Sequence, residues 1–227
     1  MDESRRWLVV QHVAHEGPGL VGAALDKAGQ RWSVCRVDCG EELPAPSEIT
    51  ELAGLVVLGG PMGVHDETTH RWLEPERRAL AAAVGAGLVV LGVCLGAQQL
   101  ALALGATVWT GDAAEIGLGA VTLTTAGDDD PVLGPAGSPL PCVHWHADTF
   151  SLPDGARLLA RSDRYDHQGF CVGDRAYGLQ FHVEVDAALA GGWAPHLPSG
   201  VQLDPRRLGQ AEAVGRPMLD RLVALAP

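Results

Sequence analysis

Leu88-Val89-Val90-Leu91-Gly92-Val93-Cys94-Leu95-Gly96-Ala97-Gln98 passes from an apolar run into a helical pattern, with a cysteine at the join. Residues 88–91 read as a fully apolar strand, and Ala97, Leu100, Ala101 and Leu104 recur at helical spacing as far as Gly105. Glycines two before and two after Cys94 let the backbone turn sharply and expose one side chain, the cysteine version of a nucleophile elbow. A helix N-terminus favours a thiolate through its partial positive charge and free N–H groups. The position therefore marks Cys94 as a candidate nucleophile, against the plainer reading of a cysteine that fills a core.

The same strand-then-helix order precedes this stretch. Residues 7–11 read as a buried strand, 19–28 as a helix stopped at Gly29, and 32–37 and 55–58 as strands, the second ending at Gly59-Gly60-Pro61. Residues 74–86 read as a helix. Parallel strands need crossover connections and helices supply them, so the alternation predicts a mostly parallel sheet covered on both faces, an α/β fold. From Gly119 the texture changes to short strand candidates at 120–124, 142–145, 157–160, 169–172 and 176–181, a meander at the sheet edge. Helices are predicted at 186–193 and 206–225, the latter interrupted at Gly215-Arg216-Pro217. Neither a repeat nor a long linker divides the chain, so one domain spanning 1–227 is expected.

Composition narrows the partners. The 227 residues are 47% hydrophobic and carry a formal charge of −12, which repels phosphate backbones and anionic lipid, so neither nucleic acid nor a membrane is an expected partner. Cys35, Cys39, Cys94, Cys142 and Cys171 contain no CxxC pair, which suggests neither a disulfide framework nor a zinc knuckle and points to a reducing cytoplasm. The apolar run from Trp7 to Val10 is too short for a signal peptide, and no stretch approaches the roughly 18 apolar residues of a membrane span.

A cysteine nucleophile needs a base and a group that orients the base. In Gln180-Phe181-His182-Val183-Glu184, residues two apart on an extended segment face the same way, so Glu184 can lie beside His182 and set its tautomer. Donors for an oxyanion are available from the Leu95 N–H and from the glycine turn Gly59-Gly60-Pro61-Met62-Gly63. A second constellation, His144-Trp145-His146-Ala147-Asp148, has a spacing seen in two-metal hydrolases, though Thr149 stands where a further histidine is wanted. The plainer reading is a half-buried strand whose histidines face solvent, or a pocket lining.

Three ordered segments, Gly59-Gly60-Pro61-Met62, Gly92 to Gln98 and Gly178-Leu179-Gln180-Phe181-His182-Val183-Glu184, resemble the signatures of class I glutamine amidotransferases, nearest to the glutaminase domain of GMP synthase and its stand-alone homologues. The resemblance implies a flavodoxin-like three-layer fold and a catalytic set of Cys94, His182 and Glu184. Cys94 would attack the side-chain amide of glutamine, His182 would protonate departing ammonia, and Glu184 would orient His182. The same resemblance assigns Gly60 and Leu95 as oxyanion donors, and Gln98, Gly169 and Phe170 as substrate contacts. It implies no cofactor and no metal. Val183 departs from the proline of many relatives. The stretch up to residue 227 holds no phosphate-binding loop, so ammonia is expected to pass to a separate synthetase chain. A stand-alone γ-glutamyl hydrolase with the same three residues is the alternative, followed by a non-catalytic module and a metallohydrolase built on His144, His146 and Asp148.

Overall fold

The computed structural model describes residues 5–226, so Met1 to Ser4 and Pro227 of the expected domain lie outside the described residues. In chain order the elements are β1 (Trp7–Gln11), α1 (Gly19–Lys27), β2 (Trp32–Arg36), α2 (Pro46–Ile49), β3 (Gly54–Val57), α3 (Leu73–Gly85), β4 (Val89–Val93) and α4 (Leu95–Ala103). There follow β5 (Val108–Leu123), α5 (Thr125–Asp128), β6 (Leu140–Phe150), β7 (Arg157–Arg161), β8 (Gly169–Val172), β9 (Ala176–Leu179), α6 (Ala187–Trp193) and α7 (Pro205–Val223). They build a nine-stranded sheet in the order β2-β1-β3-β4-β9-β8-β7-β5-β6. The pairings from β2 through β9 are parallel, and those from β9 through β6 are antiparallel. The parallel half has the flavodoxin-like strand order, and the antiparallel strands form the meander at its edge.

Alternation along the parallel strands divides the core into two layers. Trp7 and Val9 of β1 pack with Leu20, Leu25, Met218 and Leu219 of α1 and α7, whereas Leu8 and Val10 pack with Leu80, Ala83, Leu100 and Ala101 of α3 and α4. Burying each large side chain contributes about 1.5–3 kcal/mol, which offsets the entropy of ordering the strands. The sheet is thus covered on both faces, and its strand ends are left for the site.

The structure departs from the sequence reading in the second half. β5 begins at Val108, well before the predicted 120, and β6 extends to Phe150. Gly111, Gly117 and Gly119 weaken the local strand signal and a register shift between Thr110 and Glu115 breaks its alternation, so pairing with β6 supplies what local propensity lacks. The break predicted at Gly215-Arg216-Pro217 does not occur, since α7 runs through Pro217. Buried Leu208 and Ala211 before the proline, and Met218, Leu219 and Leu222 after it, hold both halves to one core. Gly215 lies so close to the backbone that a Cβ would stand 2.4 Å from the Val183 carbonyl oxygen. Packing outweighs the roughly 3 kcal/mol cost of an interior proline.

Candidate active site

Cys94 sits at the C-terminal end of β4, where open α/β sheets place their sites. Its φ of 52° and ψ of −108° are strained for a residue with a side chain, and the surroundings enforce them. The Cys94 N–H donates to the Leu179 carbonyl at 2.8 Å, and the Cys94 carbonyl accepts from the Gln98 N–H at 3.1 Å. The flanking glycines are required by close approach: a Cβ on Gly92 would lie 2.4 Å from the Gly96 carbonyl oxygen, and one on Gly96 would lie 2.0 Å from that of Val57. Cys94 is 6% exposed, and its thiol points to the Trp145 carbonyl at 3.6 Å.

His182 reaches the same place by a different route. β9 stops at Leu179 rather than at 181, because the Gln180 N–H donates to Gln168 and His182 exchanges backbone hydrogen bonds with Val143 of β6. Its Nδ1 lies 2.7 Å from Glu184 Oε1, with both residues buried. Trp193 of α6 meets the imidazole edge-on at 4.8 Å and fixes the ring plane. Nε2 is buried and has no hydrogen-bond partner among the described residues. Burial alone lowers the imidazole pKa, but the charges at Glu184 and Cys94 override it and hold His182 well above its ordinary value. Gly59 fills the gap between the two: its Cβ position is 3.0 Å from His182 Cε1 and 3.6 Å from Cys94 Cβ.

The glycine turn has a support that local sequence does not announce. His12, at the end of β1, is fully buried with its Nδ1 2.9 Å from the Gly59 carbonyl and its Nε2 2.7 Å from Glu76 Oε2 of α3. A carbonyl and a carboxylate facing the two ring nitrogens favour a proton on both. Burial opposes that charge, and Glu76 with Gly59 overcomes it to raise the pKa. A trans peptide sets C=O and N–H antiparallel, so drawing the Gly59 carbonyl toward His12 turns the Gly60 N–H away from it. The Cβ position of Gly60 lies 3.1 Å from Leu95 Cδ2, which puts Gly60 beside the first residue of α4.

Cys94 opens onto two hollows. The first, about 340 Å³, is lined by Gly60, Met62, Gln98, Trp145, His146 and Asp148 among others, and Gln98 is steadied there by donating to Gln180 Oε1 at 3.1 Å. The second, about 280 Å³, adds Glu16, His15, His182 and His196. Glu16 escaped the sequence reading. It is 7% exposed, and burial raises its carboxyl above the usual range while His182 pulls it down and Glu184 pushes it up. Gly169 and Phe170 are not brought to the cleft. They lie within β8, where Phe170 is fully buried with its ring edge-on to Phe150 at 5.2 Å. Pairing with β7 and β9 occupies that backbone on both sides.

The histidine-rich segment also differs from the expectation. His144 and His146 face the same side of β6, but the Asp148 carboxylate turns away to accept from Thr110 Oγ1 at 2.7 Å. The carboxylate they meet is Glu115 of β5, with Oε2 3.2 Å from His146 Nε2 and 3.7 Å from His144 Nδ1. Burial pulls His144 down to about 4, against the opposing pull of Glu115. Among the described residues no helix is long and apolar enough to cross a membrane.

A buried thiol on a strained turn, an imidazole tied at one nitrogen and free at the other, and backbone N–H groups beside a hollow are the parts that nucleophilic acyl transfer uses. Comparison with known proteins gives the family. The family profile "Glutamine amidotransferase class-I" matches residues 21–192. The glutamine amidotransferase-like protein YfeJ of Salmonella typhimurium is 37% identical over 195 residues, 82% of this chain and 80% of that protein. The glutamine-hydrolyzing GMP synthase of Porphyromonas gingivalis is 30% identical over 142 residues, which are 62% of this chain but only 26% of that protein. A crystal structure of a glutamine amidotransferase from Thermotoga maritima superposes with a TM-score of 0.83 at 32% identity, covering 96% of this chain and 98% of that one. The fold, the elbow and these matches together establish that the chain belongs to the class I glutamine amidotransferase family.

Proposed function

We propose that the protein hydrolyses the side-chain amide of glutamine through a thioester on Cys94. The observation that carries this reading is the buried His182, bound to Glu184 at 2.7 Å and unengaged at Nε2, next to a cysteine on a strained strand-to-helix turn. The Cys94 thiol passes its proton to His182 Nε2, the sulfur attacks the amide carbon, and the carbonyl oxygen becomes an oxyanion, held by the N–H groups of Gly60 and Leu95. His182 gives its proton to the departing nitrogen, so ammonia leaves and a glutamyl thioester remains. His182 then takes a proton from water, which attacks the thioester and releases glutamate, and returns that proton to the departing sulfur to restore the thiol. Glu184 keeps the imidazole in the right tautomer throughout. Gln98, on the wall of the larger hollow, is the side chain placed to contact the substrate.

Released ammonia is useful only to an acceptor, and we assign that acceptor to a synthetase, since the relatives include glutamine-hydrolyzing GMP synthases. The five free cysteines favour a reducing cytoplasm. Incubating the purified chain with glutamine and with γ-glutamyl dipeptides, while measuring glutamate, ammonia and free amine, tests the reading. Glutamate and ammonia in equal amounts support it. Dipeptide cleavage outpacing glutamine hydrolysis overturns it in favour of a γ-glutamyl hydrolase.

A further inference from the structure

We propose that Glu115, His144 and His146 form a site for a divalent transition metal such as zinc, clasping β5 to β6 on the wall of the Cys94 cleft. The three ligand atoms, the Glu115 carboxylate oxygen, His144 Nδ1 and His146 Nε2, lie within 4.8 Å of one another. Zinc bonds of 2.0–2.2 Å in a tetrahedron separate neighbouring ligands by about 3.3–3.6 Å. The observed separations are 3.2 Å between Glu115 Oε2 and His146 Nε2 and 3.7 Å between Glu115 Oε2 and His144 Nδ1. Two imidazoles and a carboxylate form a donor set that suits zinc.

The outer nitrogens are tied as ligating histidines require. His146 Nδ1–H donates to the Asp148 carbonyl at 3.0 Å, which leaves Nε2 with a lone pair, 3.2 Å from Glu115 Oε2 and 3.3 Å from the Gln168 amide nitrogen. His144 Nε2 lies 3.3 Å from Cys142 Sγ, and donating its proton there turns the Nδ1 lone pair inward. Gly119 makes room for this ring, since a Cβ on it would stand 2.7 Å from His144 Cδ2. Gln168 Nε2 donates to Glu115 Oε2 at 2.6 Å and steadies the third ligand. The independent sign of a cation is His144 Nδ1, which belongs to a residue 5% exposed and has no hydrogen-bond partner among the described residues. The Gln168 amide nitrogen reaches both Glu115 Oε2 and His146 Nε2 but leaves His144 Nδ1 unsatisfied; a metal between the three ligands would satisfy it. Trp145 stands between the two ligands, and its carbonyl receives the Cys94 thiol, so the clasp fixes the wall that faces the thiol.

The test strips the full chain with chelator, titrates it with zinc and cobalt, and counts bound metal by mass spectrometry. One metal per chain is expected, with the visible bands of tetrahedral cobalt and no sulfur-to-cobalt charge transfer. Cys94→Ala keeps the metal, while the isosteric Glu115→Gln and the bolder His144→Ala bind at least about tenfold more weakly. Zinc raises the Tm of wild type and Cys94→Ala but not that of Glu115→Gln, whose fold is checked without metal by circular dichroism. Substoichiometric binding by wild type overturns the site. So does binding lost in Cys94→Ala, or binding kept by both ligand variants.

Discussion

Two buried histidines in this molecule each meet a glutamate at 2.7 Å, one on either side of the Gly59-Gly60 turn, and their remaining nitrogens separate them. His12 spends both on acceptors, Glu76 and the Gly59 carbonyl, and acts as a brace. His182 spends one on Glu184 and keeps the other, which has no hydrogen-bond partner among the described residues, within the electrostatic reach of Cys94. A carboxylate beside a buried imidazole therefore does not by itself indicate a base. The free nitrogen does, because a proton can move only through an atom that is not already committed.

The largest expected effect breaks this pairing on the His182 side. Cys94→Ala and His182→Asn should each lower glutaminase kcat by at least about 10³-fold, with far-UV circular dichroism unchanged. On the other side, His12→Asn leaves Glu76 buried without its cation and should cost about 3–5 kcal/mol of stability, read from urea unfolding. Its kcat should fall by a smaller factor, through the aim of the Gly60 N–H. If His12→Asn abolished turnover at unchanged stability while His182→Asn merely melted earlier, the two roles would be reversed.

A pH series sharpens the same contrast. The folded pKa of His12 is raised, with burial opposing and Glu76 and Gly59 prevailing. Its contribution to stability is thus fully present below the unfolded value near 6.5, and it is lost as pH rises through the folded pKa. The double variant His12→Asn/Glu76→Gln carries neither charge. The stability advantage of wild type over it should shrink as pH climbs above about 6.5. An advantage that grew with pH would show His12 to be buried as a neutral ring.

What was legible in the sequence follows from how far apart the interacting residues lie. β1, β3, β4 and the elbow were readable because apolar runs and glycine spacing act within a few residues. His182 and Glu184 were readable because two residues on an extended segment share a face. His12 and Glu76 are separated by 64 positions and meet only when α3 packs on the sheet, so no spacing rule finds them. Glu16 was hidden for the same reason, as its neighbours His182 and Glu184 come from the far end of the chain. Gly169 and Phe170, given to the substrate by resemblance, lie in β8, where strand pairing takes up their backbone and the Phe170 ring enters the core.

A third imidazole–carboxylate contact, His146 with Glu115 at 3.2 Å, carries the smallest effect and sets spacing directly against pairing. Spacing along β6 proposes Asp148 as the acid that serves His144 and His146, whereas strand register sets Glu115 opposite His146. The Asp148 carboxylate accepts a hydrogen bond from Thr110 Oγ1, and asparagine can accept the same bond, so Asp148→Asn should change stability by no more than about 0.5 kcal/mol. Glu115→Gln removes the charge that faces both rings inside a partly buried pocket and should cost about 1–3 kcal/mol under the same conditions. Should Asp148→Asn prove the costlier of the two, spacing along one strand would outrank pairing across two. The registry between β5 and β6 makes Glu115→Gln the costlier change, because a carboxylate acts on the ring it faces and not on the ring it is numbered near.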